Sequence, residues 1–546
     1  MNLLDRIAYD TGGYTVQEIL SSFCKKIIEI IDLVNKNEEV CDESRTIIEN
    51  IRNEVVPDLV DDIMKEMQDS GYFDNLVNVT LIEQLRTEIT RLLNQAITDY
   101  TTRLDNIDSQ LDKIKNNIMP NYLSELLIEE ITQPNSDFSW FKHKIYRNKN
   151  GEIYTDLKIE EYKNKGGTTY YVDIINGSER NNGLTIDTPF KYLKTAIDKT
   201  DVGTIYVKDG FYDYGASFNN TTYSKNINII GIGENVVCCY GTNSLSWEKA
   251  DNYNNIYKVE RSVLGGIFDK TILTETGDYT KYSLVSSLSD VENNEGTYYY
   301  EHNIIYIHPF NSRTPDNNII VMLQGGNLKV TGDYKVYLEN IKFYGGANGC
   351  VNINNTVLSD NTLLVAKNCE FKYSTGGVGG LQIQGADAIL LNCIASSNLK
   401  DGFNYHAYNN RINKVVEINC IGRDNGESLE VSYSDNGSTI HDGGKIIRIN
   451  GKYFNNLGPN IADVGLGSMV WNLGCASYKS NCEPNTHNCD YWCGDSTKTV
   501  KMWLDTCISF NSLRSCYVGE NSELYYKNNF MEGEIVRNNN SVFEEY

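Results

Sequence analysis

Three short stretches in the later half of the chain carry acids and imidazoles that invite a shared site: Lys400-Asp-Gly-Phe-Asn-Tyr-His406, Ser438-Thr-Ile-His-Asp-Gly-Gly444 and Gly458-Pro-Asn-Ile-Ala-Asp463. Asp401, His406, His441, Asp442 and Asp463 are the candidate catalytic residues. Two carboxylates about 5 to 10 Å apart suit glycoside hydrolysis, one as general acid and the other as nucleophile or base. Asp and His together also suit a divalent cation such as Ca²⁺, which polarises a phosphodiester and activates water; Asp401, Asp442 and Asp463 are the candidate ligands. The histidines favour this second chemistry, because a plain glycosidase needs none. Cleavage by β-elimination requires a base beside a cation that neutralises a uronate, and Lys400, Arg423, Lys445 and Arg448 are available for it. Tyr405, Glu427 and Asn460 complete the candidate substrate contacts. Against all of this stands a plainer role: Asp-Gly at a chain corner is often just a turn, with the carboxylate accepting backbone N–H groups and glycine taking positive φ.

Cys482, His487, Cys489 and Cys493 form a second, tighter group with Glu483 and Asp490 close by. Its spacing fits no standard zinc finger, so a structural loop is expected, with a metal site as the alternative.

The elements that must position these residues announce themselves by repetition. Asn-Cys recurs at Asn368-Cys369, Asn392-Cys393 and Asn419-Cys420, and a near copy is Asn472-Leu-Gly-Cys475. A short apolar run precedes each copy, and turn-prone residues follow it. One such unit is too short to bury a face by itself, so the units must stack as a solenoid. Corresponding positions of successive coils then lie about 5 Å apart. His406 lies 14 residues beyond Asn392, and Asp463 lies 13 beyond Asn450. With one residue allowed for loop variation, both are expected on one edge, with His441 and Asp442 projecting from an intervening excursion. The chain has 14 cysteines. Those at repeat spacing are expected as stacked free thiols, with disulfides as the alternative.

Residues 1 to about 125 are poor in glycine and helical in period. Ile97, Tyr100, Leu104, Ile107, Leu111, Ile114 and Ile118 step by alternating threes and fours, an a/d seam that suits a self-associating coiled coil or a helical hairpin. A neck follows over 126–165. The solenoid is expected over 166–530, interrupted by a β insertion at about 239–328, before an acidic tail at 531–546. A short amphipathic helix within 186–199, with Phe190, Leu193, Ala196 and Ile197 as its apolar residues, would cover the open first end. The net charge of −24 argues against nucleic acid, which needs clustered Lys and Arg. No stretch is apolar for the roughly 18 residues of a membrane span, and Met1-Asn-Leu-Leu-Asp-Arg-Ile does not read as a secretion signal.

The opening Tyr170-Tyr-Val-Asp-Ile-Ile-Asn-Gly-Ser-Glu-Arg-Asn-Asn-Gly, followed by Thr188-Pro-Phe and the Asn-Cys coils, resembles pectate-lyase-like right-handed parallel β-helices. Joined to a helical N-terminus, such a solenoid is similar to bacteriophage tail spikes and appendage proteins. The resemblance implies a mainly β chain with an N-terminal α-helical or coiled-coil region. It also implies a helical virion-attachment part at 1–80, a coiled coil at 81–125, assembly as a homotrimer, and contacts with tail or baseplate proteins. The partner it implies is a host cell-surface glycopolymer, which the solenoid binds and often cleaves. Abundant Asn, Ile, Lys and Tyr point to an AT-rich source, for which wall teichoic acid is expected first and capsule or exopolysaccharide next. A binding spike without catalysis on the same fold is the rival.

Overall fold

The computed structural model describes residues 127–148, 151–262, 264–426, 435–480, 488–494 and 499–546, together with Lys65, Thr87, Thr90 and Arg91, which are helical. The coiled-coil seam, Glu427, Cys482 and His487 therefore lie outside the described residues. The chain divides into two units, Met1–Leu126 and Leu127–Tyr546, and the second is the solenoid.

Each full coil contributes three short strands, one to each of three parallel ladders. A representative coil runs Asp387–Leu391, Ile394–Ser396 and Phe403–His406. These strands pair in parallel with Lys414–Ile418, Ile421–Arg423 and Ser438–Ile440 of the next coil. We call the three ladders the first, second and third faces. Alternation along each strand sends every second side chain into the lumen, where Leu390, Ala395, Phe403 and Tyr405 join one continuous apolar core. The helix Leu193–Ile197 covers the first end, burying Leu193, Ala196 and Ile197.

The Asn-Cys repeat is the corner between the first and second faces. Asn368, Asn392, Asn419 and Asn450 all take positive φ, between 52 and 54°, a conformation asparagine tolerates better than most residues. Their amides form a ladder, Asn392 Nδ2 donating to Asn368 Oδ1 at 3.1 Å and Asn419 Nδ2 to Asn392 Oδ1 at 3.0 Å. The cysteines that follow turn inward and are free and buried. In the coil of Asn450 the cysteine is replaced by Gly451, and at Cys475 the corner residue is Gly474, with φ of 61°. Asn472 is thus a lumen residue of the first face and no copy of the corner asparagine.

Each face has its own exterior. On the first, Val416, Ile418, Ile447, Ile449, Trp471, Leu473 and Trp503 point outward and are covered by Ile131, Phe138, Phe141, Ile145 and Ile153 of the neck. The neck is therefore a strap laid along the solenoid. It begins beside the late coils, where Arg147 Nη2 meets Asp505 Oδ1 at 2.8 Å, and ends at the early ones, where the Asn164 backbone N–H donates to Asn228 Oδ1 at 2.9 Å. The second face is overlaid in its early coils by the insertion, which forms two sheets of its own and packs Phe268, Ile320 and Met322 on Tyr344 and Tyr373. The expected C-terminal tail is part of the solenoid, because Glu534–Arg537 and Val542–Glu545 extend the third and first ladders.

Candidate functional site

In its middle coils the third face points polar side chains outward. Val351-Asn-Ile-Asn354, Leu381-Gln-Ile-Gln384, Phe403-Asn-Tyr-His406 and Ser438-Thr-Ile-His441 alternate inward and outward in register. Two outward columns result: Asn352, Gln382, Asn404 and Thr439 in one, and Asn354, Gln384, His406 and His441 in the other. The second column is half-buried throughout and reaches solvent. In the first, Gln382 Oε1 and Asn404 Oδ1 are buried and accept no hydrogen bond among the described residues. Buried acceptors of this kind ordinarily find a donor.

At the end of the second column the two imidazoles stack, centroids 4.0 Å apart and planes 13° from parallel. His406 Nδ1 lies 3.2 Å from Asp442 Oδ2, and His441 Nε2 lies 3.0 Å from Thr439 Oγ1. Asp442 holds φ of 59° at the corner that closes the strand, which turns its carboxylate back over the preceding coil. An acceptor at Nδ1 fixes the neutral ring with its proton there and leaves Nε2 as a base. Asp401 is consumed by its own corner. Its Oδ1 accepts the backbone N–H groups of Asp435 and Asn436 at 2.9 and 3.0 Å, and its Oδ2 accepts from Asn404 Nδ2 at 2.8 Å. Burial nevertheless raises its pKa above the usual carboxylate range.

The other expected site residues are placed elsewhere. Asp463 is in register with Ile440 and Tyr405, so it points into the lumen with no solvent exposure. There it forms a bidentate pair with Arg448, also wholly buried. Tyr405 is a lumen residue as well, donating its hydroxyl to the buried Glu417 at 2.8 Å. These three are therefore interior groups and share no surface with the imidazoles. Lys400 faces Asp435 at 3.6 Å, on the corner near Asp401. Lys445 sits beneath the strap, bonded to Asp137 at 3.1 Å. Asn460 belongs to a buried amide ladder at the corner between the second and third faces, donating to Asp490 Oδ1 at 2.8 Å. Arg423 is on the second face, held by Asp278 of the insertion at 2.9 and 3.0 Å.

Cys489 and Cys493 are buried, free residues of the third ladder, Cys493 in the lumen core and Cys489 packed with Ala462 and Trp492. Among the described residues no three His, Cys, Asp or Glu side chains are grouped to hold a metal ion, and Asp401, Asp442 and Asp463 do not converge. The amide columns were legible as alternating Asn and Gln between apolar residues, a signal overshadowed by the acids and histidines.

No family profile and no curated protein matches the sequence. Among solved structures the chain is similar to XylC in complex with xylose, at 11% identity, covering 68% of this chain and 70% of that one with a TM-score of 0.46. It is also similar to the pectate lyase Pel9A, at 14% identity, with 66% and 80% covered and a TM-score of 0.30. For the tailspike protein of Pseudomonas phage LKA1 the values are 12%, 64%, 73% and 0.25. Likenesses this distant say nothing about activity. No helix among the described residues is long and apolar enough to cross a membrane.

Proposed function

We propose that the chain is a phage tail spike or appendage whose solenoid holds a host-surface glycopolymer along the third face and cleaves it at the imidazole pair. The observation that carries the reading is the His406–Asp442 pair at the exposed end of a polar column that steps once per coil. Amide side chains at regular intervals suit the hydroxyls of a repeating polymer, and each supplies both a donor and an acceptor.

For the chemistry, His406 Nε2 takes the proton of an attacking hydroxyl or water as its oxygen forms the new bond. Asp442 stabilises the imidazolium that results. In a phosphodiester, the bond from phosphorus to the leaving oxygen then breaks, and that oxygen collects a proton from solvent or from the second imidazole. Two imidazoles with one well-placed carboxylate suit this bond better than a glycosidic one, for which two free carboxylates are wanted. Wall teichoic acid of a Gram-positive bacterium is the substrate this favours, with a capsule or exopolysaccharide next. A divalent cation such as Ca²⁺ would have to be brought with the anionic polymer. Trimeric assembly and attachment to the tail through residues 1–80 belong to the same proposal.

A purely binding spike is favoured by one observation, the engagement of Asp401 in its own corner, which leaves Asp442 the main exposed acid. Incubating the protein with host walls, with and without Ca²⁺, separates the two. Released soluble fragments that disappear with His406→Ala support cleavage. Binding to walls with no release over hours supports the rival.

A further inference from the structure

The second face carries a cavity that shares no lining residue with the imidazole pair. Its outward column runs Tyr344, Lys372, Ser396, Arg423, Phe454, Tyr478 and Phe510, one residue per coil. The last three stack face to face, with centroids 4.7 and 4.6 Å apart and planes within 13° of parallel. The insertion overlies the earlier part of the column. Between its hairpin tip and the start of the aromatic stack is a cavity of about 490 Å³, lined by Thr276, Tyr279, Asp424, Phe454, Asn455 and Tyr478 among others.

One buried carboxylate lies behind the cavity wall, bonded to the lining residue Ser397. Asp278 of the insertion has no side-chain exposure and binds both Lys372, at 2.9 Å, and Arg423. Burial would raise its pKa, but the two cations outweigh that and hold it below the usual range, so it is charged and neutralised. Because Arg423 is held by Asp278, it does not line the cavity beside Phe454, the residue in register one coil later. Asp424 is likewise paired, with Arg423, Asn455 and Thr276, the last at 2.7 Å. The cavity thus offers an aromatic surface flanked by hydroxyls, amides and a compensated carboxylate, with Glu275, Lys281 and Lys479 also in its lining.

We infer that this cavity binds a segment of oligosaccharide, with a pyranose ring against Phe454 and Tyr478 and its hydroxyls bonded to Asp424, Asn455 and Thr276. A flat apolar face rimmed by donors and acceptors matches a sugar ring, and the volume is in the range of pockets that hold small ligands. The inference does not depend on cleavage at the third face.

The test is calorimetry of the full chain against three hexasaccharides, of glucose, of N-acetylglucosamine and of galacturonate. At least one neutral hexasaccharide is expected to bind, at least tenfold more weakly to Phe454→Ala and Asp424→Asn and unchanged to His406→Ala. Thr276→Trp, which fills the cavity from the exposed hairpin, should abolish binding while leaving the melting temperature in place. Failure of every sugar to bind the unaltered chain overturns the inference, and so does undiminished binding by Thr276→Trp. Loss with His406→Ala in place of Phe454→Ala would move the binding site to the third face and overturn it equally.

Discussion

Arg448 and Asp463 meet inside the solenoid through two parallel hydrogen bonds of 2.8 and 2.7 Å, on adjoining faces of one coil, with neither side chain touching solvent. Close by, Glu417 accepts hydroxyls from Tyr405, Ser438 and Tyr453. The lumen therefore contains a buried polar network, and removing one member strands its partners. Asp463→Ala should cost about 3 to 5 kcal/mol, the range for breaking a buried ion pair. Urea unfolding checks it; a loss below about 1 kcal/mol would mean that Arg448 finds another partner or water.

Asp490 provides a pH signature. Burial pushes its carboxyl up to about 6, against opposing hydrogen bonds from Ser509, Ser512 and Asn460. Since the folded pKa exceeds the unfolded one, the folded state holds the extra proton between roughly pH 4 and 6. Stability from this group is full below that window and declines through it, by about 3 kcal/mol in all. The difference in urea midpoint between the unaltered chain and Asp490→Asn should change between pH 4 and 7 and level off above. A constant difference would exclude the assignment.

At the third face, His406→Ala should lower the release of polymer fragments by about 10² to 10⁴, the usual contribution of a general base. Asp442→Asn should retain part of the rate, because it loses the negative charge beside the imidazole and keeps the imidazole itself. Equal rates in all three proteins would remove the pair from the chemistry.

The strap makes a further prediction. Phe138 lies with its ring 5.7 Å from both Trp471 and Trp503. Phe138→Ala should cost about 3 to 5 kcal/mol, as for other buried aromatic residues. Binding of a hydrophobic dye should rise as the outer first face opens.

The corner asparagines are testable one at a time. Asn392→Ala places an ordinary side chain at φ of 54° and removes a rung of the ladder with both of its hydrogen bonds, to Asn368 and from Asn419, a loss of about 1 to 2 kcal/mol. Asn392→Gly should lose less, since glycine accepts the backbone and forfeits only the rung. Thermal melting of the pair distinguishes backbone strain from the lost hydrogen bond.

How much of this was legible follows from particular residues. Asn368, Asn392 and Asn419 revealed the coil because a corner that demands positive φ recurs at every turn. The same count misplaced Asp463 through the single residue allowed for loop variation. In a strand, one residue is the difference between lumen and exterior, so the position 13 beyond Asn450 matches Tyr405 and faces inward while the position 14 beyond Asn392 faces outward. His441 and Asp442 came out beside His406 because they directly follow a strand in register with its own. The cavity on the second face was beyond reach, since Asp278 and Arg423 are 145 residues apart and no local pattern joins them. The neck hid its role similarly: Phe138 reads as an isolated aromatic until the distant first-face strands give it a surface.

The strap also orders events in time. Its anchors join residues far apart in the chain, Asp137 with Lys445 across 308 positions and Arg147 with Asp505 across 358. Those partners do not exist as a surface until the late coils have stacked, and contacts of such separation form slowly. The segment synthesised before any coil is thus the one fixed after nearly all of them. Protection of its amides from hydrogen exchange would mark a solenoid that has finished folding.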